Sequence, residues 1–274
     1  AGNYAALIKY LGNDNYLESN TTVNFTVRKY NPKINVSIAN ITYGENATVW
    51  VNVTGVLNEG LNGNVTITVD NQNYTVNLTN GVGSVIVPGL NAGNYTALIK
   101  YLGNDNYFES NTTVNFTVRK HNSTITASIA NITYGENAIV NVTVNGLEGT
   151  DLSGNVTVTI NGTIVGNGAV DSTGKGNVTL NILPIGNYNN VEVKYYGNNN
   201  YTGSNITTQF HITKANSTVV GTIANITYGE NATIQVNVTG VNNEGLNGTV
   251  YITVDNKNYT VNLTNGVGSV IVPG

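Results

Sequence analysis

Residues 39–53 read A-N-I-T-Y-G-E-N-A-T-V-W-V-N-V, and the first nine of these residues recur unchanged at 130–138 and at 224–232. The copies are offset by 91 and then by 94 residues, a period close to the length of one small β-sandwich domain. The 274-residue chain is therefore read as a tandem array of one repeating unit. Its expected segments are the end of a repeat at 1–31, complete repeats at 32–121 and 122–215, and the beginning of a repeat at 216–274.

Composition narrows the class of protein. Thr, Val, Ile and Tyr favour strands, Asn and Gly favour turns, and no segment has the apolar period of a helix. Charged residues make up 9% of the chain and the net charge is −4, so no basic surface for nucleic acid or anionic lipid is expected. The absence of cysteine excludes a disulfide framework and a thiolate metal site. No apolar run is long enough to insert into a membrane within this segment.

Alternating apolar and polar residues predict seven strands in the first complete repeat, and hence an all-β fold of seven-stranded antiparallel β-sandwiches. Tight turns are expected at Asn80-Gly81 and over residues 70–73. In the second repeat, the additional residue at Asn189-Asn190 predicts a β-bulge. The side chains expected to face inward are Ile34, Val36, Ile38, Val49, Val51, Val53, Val65, Ile67, Val69, Tyr74, Val76, Leu78, Val85, Val87, Ala97, Ile99, Tyr101, Val114, Phe116 and Val118.

The two outer segments are complementary parts of one repeat. Residues 1–31 are expected to form its last two strands, and residues 216–274 its first five. Two interpretations remain open: further repeats of a longer chain continue both segments, or neighbouring copies complete each other's sandwich in a filament. A partial sandwich by itself would expose unpaired strand edges and an apolar face, which favour association.

Five motifs in fixed order resemble those of a known family: I-T-Y-G-E-N-A (41–47), G-N-V-T-I (63–67), L-N-A-G-N-Y (90–95), K-Y-L-G-N-D-N-Y (100–107) and F-T-V-R-K (116–120). Over essentially its whole length the chain resembles bacterial Ig-like repeats of group 3. Its Asn- and Thr-rich composition is most similar to that of adhesin-like surface proteins of methanogenic archaea. The resemblance implies tandem Ig-like sandwiches, arranged as beads on a string, in an extracellular cell-surface protein whose repeats form a filament, stalk or adhesive spacer.

N-x-S/T sequons occur about 27 times. Polar residues at alternate strand positions and an Asn-rich composition account for part of this number. Most sequon asparagines nevertheless fall on the outward phase of a strand, where a glycosyltransferase has access. N-linked glycans there would shield strand edges from other chains. The candidate sites are Asn20, Asn24, Asn35, Asn40, Asn52, Asn64, Asn73, Asn77, Asn111, Asn115, Asn131, Asn141, Asn155, Asn177, Asn205, Asn225, Asn237, Asn258 and Asn262.

Aromatic residues suggest one contact and one structural feature. Trp50, the only tryptophan, lies on the outward phase of its strand. It is either a contact for a sugar or a protein, or an isolated surface residue. Three tyrosines follow a Gly-Asn turn at the start of the penultimate strand, as in a tyrosine corner. They are Tyr4, Tyr95 and Tyr188.

The polar loops give no sign of metal binding or catalysis. Asp14 and Asp105 lie in G-N-D-N-Y loops that have too few carboxylates for calcium, so Asx turns are the expected role. His121 lies in a linker and His211 on an outward strand position, and no triad, acid pair or phosphate loop is found. Lysines recur on one outward strand face, where an isopeptide bond is not expected, at Lys9, Lys100 and Lys194.

We therefore expect no enzyme activity, cofactor or metal site. One hypothesis is a structural repeat segment of a surface fibre or adhesin stalk, N-glycosylated and assembled end to end. The alternative is a carbohydrate- or protein-binding adhesin module. The expected partners are copies of the same chain or continuing repeats of a longer one, N-linked glycans and surface glycans.

Overall fold

The computed structural model describes all 274 residues and consists of β-strands and one short 3-10 helix, which confirms the all-β expectation. The strands belong to two compact units, one of residues 1–122 with 199–202 and one of residues 123–198 with 203–274. No helix is long and apolar enough to cross a lipid bilayer.

The first 27 residues form a β-hairpin, with β1 at Gly2–Tyr10 and β2 at Ser19–Val27. The strands are antiparallel, and the register places Gly2 opposite Val27 and Tyr10 opposite Ser19. No other strand pairs with this hairpin. Both of its long edges are therefore free of ladder hydrogen bonds.

The first complete sandwich contains eight strands: β3 (Lys33–Ile38), β4 (Ile41–Thr42), β5 (Ala47–Thr54), β6 (Gly63–Val69), β7 (Gln72–Leu78), β8 (Val82–Val87), β9 (Gly93–Tyr101) and β10 (Ser110–Arg119). One sheet has the order β3-β5-β8 and the other β4-β10-β9-β6-β7. The predicted inward residues form or line one core between the sheets, and Val49, Ile67 and Ile99 are fully buried. Burying each such side chain contributes about 1.5–3 kcal/mol.

Two tight turns connect neighbouring strands of this sandwich. Asn80 and Gly81 have φ values of 51° and 81°, as a type I′ hairpin turn requires, which confirms the predicted dipeptide. The predicted four-residue turn at 70–73 is shorter than expected. Asp70 and Asn71 alone have positive φ, and Gln72 already belongs to β7.

The short strand β4 was not predicted. It pairs in parallel with β10, with Ile41 beside Val118, whereas all other strand pairs of this sandwich are antiparallel. Two residues are too few to show a period-two pattern, so sequence alternation does not reveal the strand.

The second complete sandwich repeats the plan with β11 (Thr124–Ile129), β12 (Ile132–Thr133), β13 (Ile139–Asn145), β14 (Gly154–Ile160), β15 (Thr163–Val170), β16 (Lys175–Thr179), β17 (Gly186–Tyr195) and β18 (Ser204–Thr213). Its sheets have the orders β11-β13-β16 and β12-β18-β17-β14-β15. The register of β17 shifts between Tyr188 and Val191, which confirms the predicted bulge. A second irregularity, between Val158 and Thr159, has no signal in the sequence.

The last segment contains β19 (Thr218–Ile223), β20 (Ala232–Thr239), a 3-10 helix (Val241–Asn243), β21 (Gly248–Val254), β22 (Lys257–Leu263) and β23 (Val267–Val272). The sheet β19-β20-β23 matches β3-β5-β8 of the first sandwich. The second sheet contains only β21 and β22. Residues 216–274 contain no strands equivalent to β9 and β10, so within these residues one edge of β21 is unpaired.

Candidate interaction surfaces

The nine-residue repeat fixes the crossing between the two sheets. In the first sandwich Asn40 Oδ1 accepts a hydrogen bond from Thr117 N–H at 2.7 Å, and Tyr43 N–H donates to Arg119 O at 2.8 Å. The Glu45 carboxylate accepts from Thr42 N–H at 2.6 Å, which closes the intervening turn. The motif therefore ties β4 to the last strand of its own sandwich.

The second sandwich makes the same contacts. Asn131 Oδ1 accepts from His211 N–H at 2.9 Å, and Tyr134 N–H donates to Thr213 O at 3.0 Å. Glu136 accepts from Thr133 N–H at 2.7 Å. Identical bonding in both sandwiches explains why these residue types recur without change.

The tyrosine corners predicted from sequence are confirmed in both complete sandwiches. The Tyr95 hydroxyl donates to Asn91 O at 2.9 Å, and the Tyr188 hydroxyl donates to Pro184 O at 2.7 Å. Tyr95 also stacks on Phe116, with ring centroids 5.6 Å apart. These tyrosines hold the entrance to the penultimate strand, which is a structural role.

The polar loops are closed by Asx turns, as predicted, but the closing residue is Asn rather than Asp. Asn104 Oδ1 accepts from Asn106 N–H at 2.9 Å and from Tyr107 N–H at 3.0 Å, and Asn13 repeats both contacts in the hairpin. Asp14 and Asp105 are exposed beside these turns. No group of three acidic or histidine side chains comes together in the chain.

Tyr107 has a further role that sequence inspection missed. Its hydroxyl donates to Glu59 Oε1 and accepts from Val56 N–H at 3.4 Å. The donated bond lowers the pKa of Glu59, helped by nearby backbone N–H groups, and raises the pKa of Tyr107. The tyrosine thus fastens the loop after β9 to the loop after β5.

The linkers that contain Tyr30 and His121, two of the three in the chain, are each tied to the sandwich that follows. Tyr30 accepts from Phe108 N–H and donates to Asn106 O, each at 3.0 Å. His121 accepts from Thr202 N–H and donates to Asn200 O, each at 2.9 Å. Two backbone hydrogen bonds therefore restrict the backbone at each linker.

Loop 199–202 packs within the first compact unit through a buried tyrosine. Tyr201 is fully buried, with its ring edge-on to Tyr43 at 5.7 Å and to His121 at 5.8 Å. Next to it, Asn200 Oδ1 accepts from Ala92 N–H at 2.9 Å. The I-T-Y-G turn, the linker and the tyrosine-corner loop together form a socket for a tyrosine, which we call the tyrosine socket.

The second compact unit contains an open groove built from the equivalent positions. Tyr134 stands in the place of Tyr43, Ala215 in that of His121, and Ile185 in that of Ala92. Val241 and Glu244, the counterparts of Val56 and Glu59, complete the lining. The groove has a volume of about 400 Å³ and a mostly apolar lining.

The hairpin β1–β2 exposes side chains that are buried elsewhere in the same sequence. Ile8 is 56% exposed and Phe25 is 51% exposed, whereas the equivalent Ile99 and Phe116 are 0% and 3% exposed. The rest of the hairpin keeps the geometry of β9–β10: Tyr4 stacks on Phe25 at 5.5 Å. Within these 274 residues, no other strand covers the inner face of the hairpin.

The last segment exposes the matching surface. Ile223 and Ile226 are exposed, and Tyr228 is completely exposed, whereas the equivalent Ile38, Ile41 and Tyr43 lie against the core of the first sandwich. The inner residues of β21 are only half-buried, although those of β6 are fully buried.

The predicted glycosylation sites are accessible. Of the 19 candidate asparagines all are exposed except Asn52, which is half-buried. Trp50 is 55% exposed on the outer face of β5, and the exposed Ile86 and Val82 lie on the paired strand β8. The outward placement predicted for Trp50 is therefore confirmed.

The recurring lysines lie on the outer face, as predicted. Lys9 and Lys100 pair with Glu18 and Glu109 at 3.1 and 3.3 Å. In the second sandwich Gly203 replaces the glutamate, and Lys194 lies over the Tyr196 ring, 4.9 Å from its centroid. These exposed contacts contribute little to stability.

Comparison with known proteins identifies the sandwiches. The family described as "Bacterial Ig-like domain (group 3)" matches residues 34–119 and 125–213, more than half of the chain. The chain belongs to this family. No curated protein sequence matches it. The two matched segments of the group 3 Ig-like chain coincide with the two complete sandwiches.

The solved structures that match the chain are distant in sequence. A two-domain fibronectin type III segment of chicken tenascin is 16% identical at a TM-score of 0.42, covering 66% of this chain and 99% of that chain. An I-band fragment of titin is 12% identical at a TM-score of 0.35, covering 88% of each chain. Fibronectin(III)-like modules of Clostridium thermocellum CbhA are 10% identical at a TM-score of 0.29, covering 66% and 95%.

Proposed function

We propose that this group 3 Ig-like chain is a structural repeat segment of an extracellular surface fibre or adhesin stalk, with no catalytic role. The observation that carries the proposal is the recurrence of the same linker contacts. Tyr30 and His121 each make the same two backbone hydrogen bonds to the sandwich that follows. A linker that is hydrogen-bonded and contains no Gly/Ser-rich stretch is less flexible than a free one, which suits a spacer.

The parallel pairing of β4 with β10 supports the same role. Tension applied at the two ends of a sandwich would pull β10 along β4, loading their hydrogen bonds together rather than one after another. The second sandwich has the equivalent pair, β12 with β18. Recurrence of this pair in both sandwiches suits a protein that is held under tension.

The proposal is tested by immunogold electron microscopy of intact cells, with antibodies raised against residues 32–121. Label along filaments or stalks outside the cell envelope is the expected result. Label confined to the cell interior would overturn the proposal. An antibody against a cytoplasmic protein of the same cells provides the control for permeability.

N-glycosylation is part of the proposal, because the sequon asparagines lie on the outer surface. Glycans on β7 and β10 would cover outward faces while leaving the core untouched. Asn77 and Asn115 are suitable sites for the test because both are exposed strand residues. Glycopeptide mass spectrometry of native material should find added sugar at such sites, and unmodified peptides throughout would contradict this part of the proposal.

A second function, carbohydrate or protein binding, is favoured by one observation only. Trp50, Ile86 and Val82 form a small exposed apolar surface on the outer face of one sheet. Aromatic side chains of this kind stack on sugar rings and occur at protein contacts. Titration with host-type glycans should quench Trp50 fluorescence if this surface binds them, and unchanged emission would argue for a spacer alone.

A further inference from the structure

We propose that the sugar joined to Asn155 packs against the ring of Tyr196, in a groove on the outer face of the second sandwich. The inference rests on the proposed N-glycosylation and deepens it, because it names one sequon whose sugar has a receiving surface. That sequon is Asn155-Val156-Thr157 on β14. Its first sugar would be held along the sheet instead of projecting freely into solvent.

The groove lies where β14, β15 and the residue after β17 meet, and we call it the sequon groove. It is lined by Asn155, Val156, Thr157, Asn167, Gly168 and Tyr196. Its volume of about 450 Å³ is within the range of small-molecule sites. Ala169 lies opposite Asn155 in the ladder, so the neighbouring strand presents only a methyl group beside the Asn155 side chain.

Contacts within the second sandwich hold the Tyr196 ring beside the sequon. The Tyr196 N–H donates to Asn155 O at 3.1 Å, and the Tyr196 hydroxyl lies 3.3 Å from Thr157 Oγ1. Asn155 and Thr157 alternate with the buried Val156 and therefore share the outer face of β14. The ring thus runs along this face past the first and third residues of the sequon.

Tyr196 remains available to a sugar although Lys194 lies over its ring. The Lys194 Nζ is 4.9 Å from the ring centroid, but Lys194 does not line the sequon groove. Tyr196 does line it, and this side chain is 52% exposed. The lysine and the threonine hydroxyl therefore position the ring and leave the part that borders the groove uncovered.

A sugar on Asn155 fits this surface chemically. Transfer would join Asn155 Nδ2 to C1 of the sugar, with release of the lipid phosphate carrier of the donor and of one amide proton. A pyranose ring presents C–H groups on one face, and the electron-rich face of an aromatic ring attracts them. The exposed carboxamide of Asn167, which begins no sequon, can hydrogen-bond to sugar hydroxyls.

Covalent attachment makes a single aromatic ring sufficient. A soluble sugar that stacks on one exposed tyrosine must give up its translational freedom for a small contact. A sugar tethered to Asn155 is already held beside the ring at a high effective concentration. The position of the sequon asparagine within the groove thus favours its own glycan as the occupant over a soluble one.

The first sandwich provides a matched comparison within the same chain. Its G-N-V-T segment at 63–66 is identical to the one at 154–157. Leu102 stands in the place of Tyr196, and its N–H donates to Asn64 O at 3.3 Å. Asn77 lies opposite Asn64, where the second sandwich has Ala169. The same sequon therefore has neither the ring nor the adjacent small residue.

The test places one sugar at a chosen position of the 274-residue polypeptide, which contains no cysteine. Asn155→Cys and, separately, Asn64→Cys are alkylated with isotope-labelled N-iodoacetyl-β-glucosylamine, whose amide nitrogen carries the sugar as that of Asn does. Both asparagines are exposed, so neither change should disturb folding. In NMR spectra the sugar protons at position 155 should shift upfield and show nuclear Overhauser contacts to an aromatic ring, and those at position 64 should do neither.

Two substitutions identify the ring as the cause. Tyr196→Leu introduces the residue of the first sandwich and should abolish the upfield shift and the ring contacts. Tyr196→Phe keeps the ring, loses only the hydroxyl contact with Thr157, and should retain the shift. A shift that survives Tyr196→Leu, a shift that is lost in Tyr196→Phe, or equal spectra at positions 155 and 64 would each overturn the inference.

Native material separates this result from the proposed glycosylation. Glycopeptide mass spectrometry should find sugar on Asn155. If native Asn155 carries sugar but the installed sugar does not contact Tyr196, the packing inference fails and glycosylation stands. If native Asn155 is unmodified although the installed sugar contacts the ring, the inference fails because this sequon is not used, and the fault lies with the proposed glycosylation.

Discussion

Truncation of Ile99 to Ala is the sharpest test of the sandwich core. Ile99 is fully buried at the middle of β9, opposite Ile67 on β6 and Thr112 on β10. Removing its outer methyl and methylene groups leaves a cavity that the two rigid sheets cannot close. We expect the free energy of unfolding to fall by about 3–4 kcal/mol. With a urea slope of about 1.5 kcal/mol per molar, the midpoint should fall by about 2 M.

The assay is urea unfolding followed by tryptophan fluorescence. Trp50 is the only tryptophan and lies on β5, so its emission reports on the first sandwich alone. Ile8→Ala is the matched control: Ile8 has the same sequence neighbours but is 56% exposed, and should lose less than about 0.5 kcal/mol. Both are measured at concentrations where sedimentation gives the monomer mass.

A loss below about 1 kcal/mol for Ile99→Ala, or an equal loss for Ile8→Ala in the monomer, would contradict the placement of Ile99 at the centre of the core. A further control is Val193→Ala, at the equivalent position of the second sandwich, where the side chain is also fully buried. This substitution should leave the Trp50 transition where it was. A shared shift would mean that the two sandwiches unfold as one unit.

Three further outcomes are expected. Gly81→Ala should destabilise the first sandwich by about 2–4 kcal/mol in urea unfolding, since φ is 81° and a Cβ would lie 2.5 Å from Val53 O. Gly162 has the same φ but open space around it, so Gly162→Ala should destabilise the second sandwich by only about 1–2 kcal/mol. Equal losses would mean that the contact with Val53 O is not the cause. Tyr95→Phe should cost about 1 kcal/mol by thermal unfolding because it removes one hydrogen bond, and no change would argue against the corner. The lowered pKa of Glu59 means that its carboxylate contributes stability above its unfolded pKa, and that this contribution is lost as pH falls through the folded value. The free energy of unfolding, followed by Trp50 fluorescence, should therefore decrease on acidification below about pH 4.5, and should decrease less in Glu59→Gln. Identical pH profiles of the two proteins would exclude this linkage.

Period-two patterning and turn dipeptides predicted much of the fold correctly. Val49, Ile67 and Ile99 were placed in the core because they alternate with polar residues. Asn80-Gly81 was predicted as a tight turn because few other dipeptides tolerate two positive φ values. These features depend on neighbours in sequence. Local patterns therefore suffice to find them.

The contacts that fasten loops together were not predicted, because their partners are far apart in sequence. Tyr107 meets Glu59 only after the strands have paired, and Asn40 reaches Thr117 across the gap between the sheets. A signal was present in the unchanged A-N-I-T-Y-G-E-N-A motif. Repetition showed that Asn40 and Glu45 mattered, but their bonding partners required the fold.

A cryo-electron microscopy map of native surface material would show whether these sandwiches build a surface filament. We expect filaments of group 3 Ig-like sandwiches in which every sandwich has both sheets complete, with the counterpart of Ile8 or Ile99 packed opposite the counterpart of Ile67. Filaments of another fold, or sandwiches that leave the β1–β2 hairpin open to solvent, would contradict this expectation.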